Sequence, residues 1–145
     1  MDESDIKVEK SMHCNRRESK IIFVREILPD YPEANLDDFV IVKRLGEGAC
    51  GKVYLVQHSV DGKLYAMKAI RKDLVIETDQ LENLYTEKNV LETADNPFLI
   101  NMDFIFQNEL HIYFIMPFIK GGMLFDHLQN LDGVFTEYQV KFFIM

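Results

Sequence analysis

Three features of this chain could handle a phosphate group. The stretch GEGACGKV, Gly46 to Val53, sets three glycines in the pattern G-x-G-x-x-G, with a lysine after the third. Glycine has no Cβ, so such a backbone can close over a phosphate with its N–H groups turned to the oxygens. Lys68 interrupts the apolar run YAMKAI, where a charge needs a partner. Glu87 flanks a leucine stripe further on. A Lys68–Glu87 pair would satisfy both charges and hold an ammonium ready for phosphate oxygens. Each feature alone has a plain reading: a glycine-rich hairpin turn, an edge-strand lysine in solvent, a solvated helix glutamate. Chance does not readily set all three in this order.

The elements that must position them follow from the hydrophobic pattern. FVIVKRL (Phe39 to Leu45) is β-branched and aromatic and reads as a strand. KVYLVQHS (Lys52 to Ser59) and KLYAMKAI (Lys63 to Ile70) are two more strands, joined at Asp61-Gly62, a pair suited to a type I′ turn. A helix comes next, with Asp79 to Glu82 as a capping box and Leu81, Leu84, Lys88 and Leu91 at helical spacing. Asn96-Pro97 marks its exit. Ile100, Met102, Phe104 and Phe106 alternate as a fourth strand, and LHIYFIM (Leu110 to Met116) is a fifth, apolar enough to be buried on both faces. A short helix fits Met123 to Asn130, and Asp132-Gly133 turns the chain. Thr136 to Gln139 form a capping box for a last helix, with Phe135 and Val140 as its hydrophobic staple. The fold class is α+β: a five-stranded antiparallel sheet with one major helix, followed by further helices.

This order discriminates between phosphate loops. GEGACGK also fits G-x-x-x-x-G-K, but a P-loop leads from a strand into a helix and ends in Ser or Thr. Here a strand follows, and Val53 stands where the hydroxyl belongs. A dinucleotide-binding glycine motif fails on the same missing helix. Composition excludes other classes. A net charge of −8 argues against a nucleic-acid binder. Apolar runs are too short to span a membrane. Two cysteines in unlike contexts, Cys14 and Cys50, form no disulfide framework, so a reducing, cytoplasmic setting is expected. Four scattered histidines and no C-x-x-C leave no metal site.

From Leu36 to the end the sequence resembles the protein kinases, specifically the AGC group of serine/threonine kinases. The resemblance rests on LDDFVIVKRLGEGACGKVYLV, AMKAIRKD, ENLYTEKNVL, NPFLI and MPFIKGGMLFDHL. It implies an extension or linker over residues 1–35 and a kinase domain over 36–145. The latter would comprise an N-lobe (36–116), a hinge (117–122) and the start of a C-lobe (123–145). It also implies ATP as cofactor, with Gly46, Gly48 and Gly51 covering the phosphates and Leu45, Glu47, Ala49, Cys50 and Lys52 completing the cover. Lys68 would reach the α- and β-phosphates and Glu87 would hold it; Val53 and Ala66 would sandwich adenine. Met116 would precede the hinge as gatekeeper, and the Pro117 carbonyl and Ile119 N–H would face the adenine edge. Leu91 and Met102 would join a hydrophobic column between the lobes. Lys72 and Ile112 would border a pocket for the phenylalanine of a hydrophobic-motif segment. A protein substrate with a Ser or Thr acceptor and an upstream kinase are the implied partners.

Some positions depart from the family pattern. Cys50 takes a loop-tip place usually held by Phe; it reads as a small loop residue, with an exposed, reactive thiol as the sharper alternative. Pro117 replaces a common hinge acid, and Met123 stands where many members carry an acidic residue, which puts an arginine-directed substrate preference in question. Neither H-R-D nor D-F-G occurs, so the expected base and Mg²⁺ ligands are not in these 145 residues. Two readings follow: an inactive fragment of a kinase that transfers the ATP γ-phosphate to protein Ser/Thr in its full-length form, or a non-catalytic N-lobe module that binds and regulates a kinase partner.

Overall fold

The computed structural model describes residues 34–130 and 134–144. The extension expected over residues 1–35 lies outside these, save for Ala34 and Asn35, and so does the Asp132-Gly133 turn. Asn35 caps a short 3-10 turn, Leu36–Asp38, through a reciprocal capping box with Asp38. The chain then enters β1 (Phe39–Gly48), β2 (Gly51–His58) and β3 (Leu64–Arg71). Helices α1 (Lys72–Glu77) and α2 (Leu81–Thr93) follow, then β4 (Phe104–Gln107) and β5 (His111–Pro117), and finally α3 (Leu124–Asn130) and α4 (Glu137–Ile144). The five strands form one antiparallel sheet, as expected, in the order β1-β2-β3-β5-β4.

Alternation along the strands builds two cores, one on each face. Ile70, Ile105, Ile112 and Phe114 join Val75 of α1 and Leu91 of α2 on the helical face. Tyr65, Met67, Ala69, Tyr113 and Ile115 gather with Phe39 and Val56 on the other. β5 is buried on both sides from Ile112 to Ile115, which its unbroken apolar run demands. The second core has no helix over it among the described residues. The sheet covers itself instead: Phe39 of β1 stacks on Phe106 of β4 with ring centroids 5.8 Å apart, and meets Phe104 edge-on at 5.9 Å. These strands are at opposite ends of the sheet order, so the right-handed coil of the sheet brings its two edges together around the aromatic core. Two bulges in β1, between Ile41 and Lys43 and between Arg44 and Gly46, add the local twist.

Three local expectations are corrected. Of Asp61 and Gly62 only the glycine has positive φ, so the turn is not type I′. It is a longer loop, closed by His58 N–H to Lys63 O and Gly62 N–H to His58 O. The Asp79–Glu82 capping box is absent: Asp79 sits at φ 54, and α2 starts after Gln80 with no side-chain cap. Helix α1 was not anticipated, because Leu74, Val75 and Ile76 are contiguous rather than periodic. The Thr136–Gln139 box does form, with Thr136 N–H donating to Gln139 Oε1 at 2.9 Å and Gln139 N–H returning to Thr136 Oγ1 at 3.3 Å.

Candidate functional site

Lys68 lies mid-sheet on β3, opposite Val53 of β2 and Phe114 of β5. Phe114 is fully buried, so the strand under the lysine is fixed. Helix α2 crosses this face with Leu91 buried and Leu81 and Leu84 packed against the core, which turns Glu87 towards the sheet. Lys68 Nζ donates to Glu87 Oε1 at 2.6 Å. The two side chains keep 32% and 39% exposure. An ion pair this open adds about 1 kcal/mol at most, so its consequence is the aim of the ammonium rather than the stability of the lobe. Lys88, on the same stripe, is buried and satisfied by Glu92 one turn on, at 2.7 Å.

The glycine stretch is the hairpin tip between β1 and β2. Gly48 pairs with Gly51, leaving Ala49-Cys50 as the turn. A cavity of about 410 Å³ lies beneath it, bordered by Gly46 to Gly51, Val53, Lys68 and Glu87. The glycines differ in what surrounds them. A Cβ on Gly46 or Gly48 would meet nothing within 4 Å, whereas one on Gly51 would fall 2.1 Å from the Ala69 carbonyl oxygen. Gly51 therefore answers to β3. Gly46 and Gly48 have no neighbour among the described residues that requires them, and their bare backbone faces space a phosphate-bearing group could fill.

The expected site residues separate into two groups. Gly46, Glu47, Gly48, Ala49, Cys50, Gly51, Val53, Lys68 and Glu87 border one cavity. Leu45, Lys52, Ala66, Met116, Pro117 and Ile119 do not. Ala66 and Met116 are cross-strand partners and Pro117 pairs with Tyr65 at the end of β5. Ala66 shares the sheet face of Lys68 by strand alternation. Leu45 falls in the second β1 bulge, and Ile119 is largely exposed beyond β5. Lys52 borders a separate cavity of about 250 Å³ with Tyr54, Arg71 and His111. Cys50 is half-buried against the helical-face core, so it is not an open thiol. Lys72 and Ile112 are both buried; Lys72 Nζ donates to Gln107 Oε1 at 2.7 Å and to the Asn108 carbonyl at 2.6 Å. Among the described residues no group of three His, Cys, Asp or Glu side chains could hold a metal.

The sequence reading missed Gln80 and Asn83, which also border the larger cavity. Asn83 Nδ2 donates to Gln80 Oε1 at 2.5 Å. A signal was present, since Gln80, Asn83 and Glu87 follow one another at three and four residues, the spacing of one helix face. Met123, just before α3, borders the same cavity.

Comparison with known proteins identifies a family. The protein kinase domain family matches residues 39–145. A probable serine/threonine-protein kinase of Dictyostelium discoideum is 39% identical over 119 residues, covering 82% of this chain and 26% of its own. Protein kinase 3 of the same organism is 44% identical over 109 residues, 75% of this chain and 12% of its own. RAC-beta serine/threonine-protein kinase A of Xenopus laevis is 38% identical over 113 residues, 78% of this chain and 23% of its own. The chain thus spans about a quarter or less of the length of these relatives.

Proposed function

The chain belongs to the protein kinase family, within its AGC serine/threonine group, and from that premise we propose that it is the nucleotide-gripping part of an enzyme that phosphorylates protein Ser/Thr. The 2.6 Å Lys68–Glu87 pair under the glycine hairpin carries the reading. Bound ATP would supply the transferable γ-phosphoryl group. In this reading Lys68, steadied by Glu87, neutralises phosphate charge. Gly46 and Gly48 admit the phosphates beneath the hairpin, while Gly51 holds the hairpin to the sheet. Val53 and Ala66 give the apolar surface for adenine, Met116 limits the depth of that pocket, and the Pro117 carbonyl and Ile119 N–H meet its edge. The remaining loop positions, Leu45, Glu47, Ala49, Cys50 and Lys52, shape the cover. The domain boundaries are those of the sequence reading: N-lobe 36–116, hinge 117–122 and C-lobe from 123.

Members of this family use ATP with Mg²⁺. The described residues offer no cluster for the ion. Neither H-R-D nor D-F-G occurs in these 145 residues, so the role proposed for this chain itself is nucleotide binding. No described helix is long and apolar enough to cross a membrane; a reducing, cytoplasmic setting is proposed on the half-buried free Cys50. Titration with a fluorescent ATP analogue tests the reading. Lys68→Met is expected to weaken binding about tenfold or more, the loss of a charge-assisted contact, with a smaller loss for Glu87→Gln. Equal affinity in all three proteins would overturn it.

A second reading draws on one observation. Tyr138, Phe142 and Ile144 of α4 are strongly exposed, an apolar surface that favours docking to a partner. A non-catalytic module that regulates a kinase partner would use such a face. Capture of a defined kinase domain, lost with Phe142→Ser, distinguishes this reading from the first.

A further inference from the structure

The two limbs of the glycine hairpin are not held alike. On the β2 side, Arg71 N–H donates to the Cys50 carbonyl at 2.8 Å, and Gly51 lies so close to Ala69 that no side chain fits between them. The Cys50 side chain packs on the helical-face core, and its Sγ lies 3.8 Å from Thr78 Oγ1 at the C-terminal end of α1. The Thr78 hydroxyl hydrogen is already directed at the Leu74 carbonyl, 2.7 Å away. A hydroxyl has a single hydrogen, so in this contact the thiol donates and Thr78 accepts. On the β1 side, by contrast, Gly46, Glu47 and Gly48 pair with β2 alone at the edge of the sheet, and a Cβ on either glycine would meet nothing within 4 Å.

We propose that Cys50 is a positioning residue that fastens the tip of the glycine hairpin to the end of α1, leaving Gly46–Ala49 as the limb that adjusts over a bound phosphate group. The consequence reaches Glu87. Thr78 is followed at once by Asp79 and Gln80, which lead into α2, so the hairpin tip and the helix carrying the Lys68 partner share one elbow. The fastening is a property of the fold; only what the Gly46–Ala49 limb adjusts over rests on the nucleotide reading above.

Amide hydrogen exchange on the whole chain tests the fastening without any nucleotide. Cys50→Ala and Thr78→Val are each expected to speed exchange at the Arg71 amide by about threefold, the scale of a weak thiol hydrogen bond. The double variant is expected to be no faster than either single one. Thr78→Ser keeps the acceptor and should retain the parent's protection. Titration with the fluorescent ATP analogue is the second readout: Cys50→Ala and Thr78→Val lower affinity by a common factor, and Thr78→Ser does not. Parental exchange in both single variants, additive effects in the double one, or no rescue by Ser would overturn the proposal. Thr78→Val leaves the hairpin sequence intact and decides the question if Cys50→Ala does not fold. A chain that binds no nucleotide would sink the ATP reading, while the exchange pattern at Arg71 still decides the fastening.

Discussion

Gly48 and Gly51 face each other across one hairpin, yet only Gly51 has another strand in its way. A methyl group at Gly51 would have to displace the β3 backbone at Ala69. Gly51→Ala is expected to destabilise the chain by about 1–3 kcal/mol, the usual cost of overpacking. Gly48→Ala is expected to stay within about 0.5 kcal/mol of the parent, its effect appearing in nucleotide affinity; urea denaturation separates the two. The β2–β3 loop offers a titration. The Lys63 N–H, helped by the His58 ring, lowers the Asp61 carboxyl from 3.8 to about 2. A lowered carboxylate pKa stabilises the fold above the unfolded value and loses that contribution as pH falls through the folded one. The loop is therefore expected to loosen between about pH 4 and pH 2, and Asp61→Asn to remove that dependence; chemical shifts of the Lys63 amide report both. Lys68 and Glu87 were legible in the sequence because a charge in an apolar strand needs a countercharge nearby. The unequal glycines were not, since a spacing motif does not say which neighbour each glycine avoids.

At the scale of the elements, the elbow between α1 and α2 holds a non-glycine residue at positive φ. Asp79 takes a left-handed conformation, φ 54, that a short polar side chain tolerates and a β-branched one does not. Asp79→Val is expected to lower stability by about 1–2 kcal/mol, while Asp79→Gly keeps the thermal midpoint close to the parent's. A similar loss for both would mean that the side chain, not the backbone, matters. All five strands were legible: β1 to β3 from their β-branched and aromatic runs, β4 from alternation and β5 from its unbroken apolar run. Strand β4 came out shorter than the alternation from Ile100 to Phe106 suggested, because only Phe104–Gln107 pairs with β5. The capping boxes show why local motifs mislead. Thr136–Gln139 and Asp79–Glu82 carry the same spacing, but the tight turn out of α1 puts Asp79 in a geometry from which it cannot cap.

At the scale of the molecule, the sheet's coil is what no pattern in the sequence displayed. Alternation assigns a residue to a face, but it does not say that the face will close on itself. Phe39, buried to 6% exposure, joins β1 to β4 across that closure. Phe39→Ala is expected to cost about 3 kcal/mol, and in a double-mutant cycle it should couple to Phe106→Ala, although the two strands share no backbone ladder. Independent effects of the two would mean that the edges do not close. The same contact has a kinetic side. Phe39 opens the first strand and Phe106 lies in the fourth, so their rings can meet only after β2, β3 and both intervening helices have been made. Local hairpins such as β1–β2 are expected to pair early, and this seam, of high sequence separation, late. On a ribosome, the Phe39 ring would emerge and wait, exposed, for its partner.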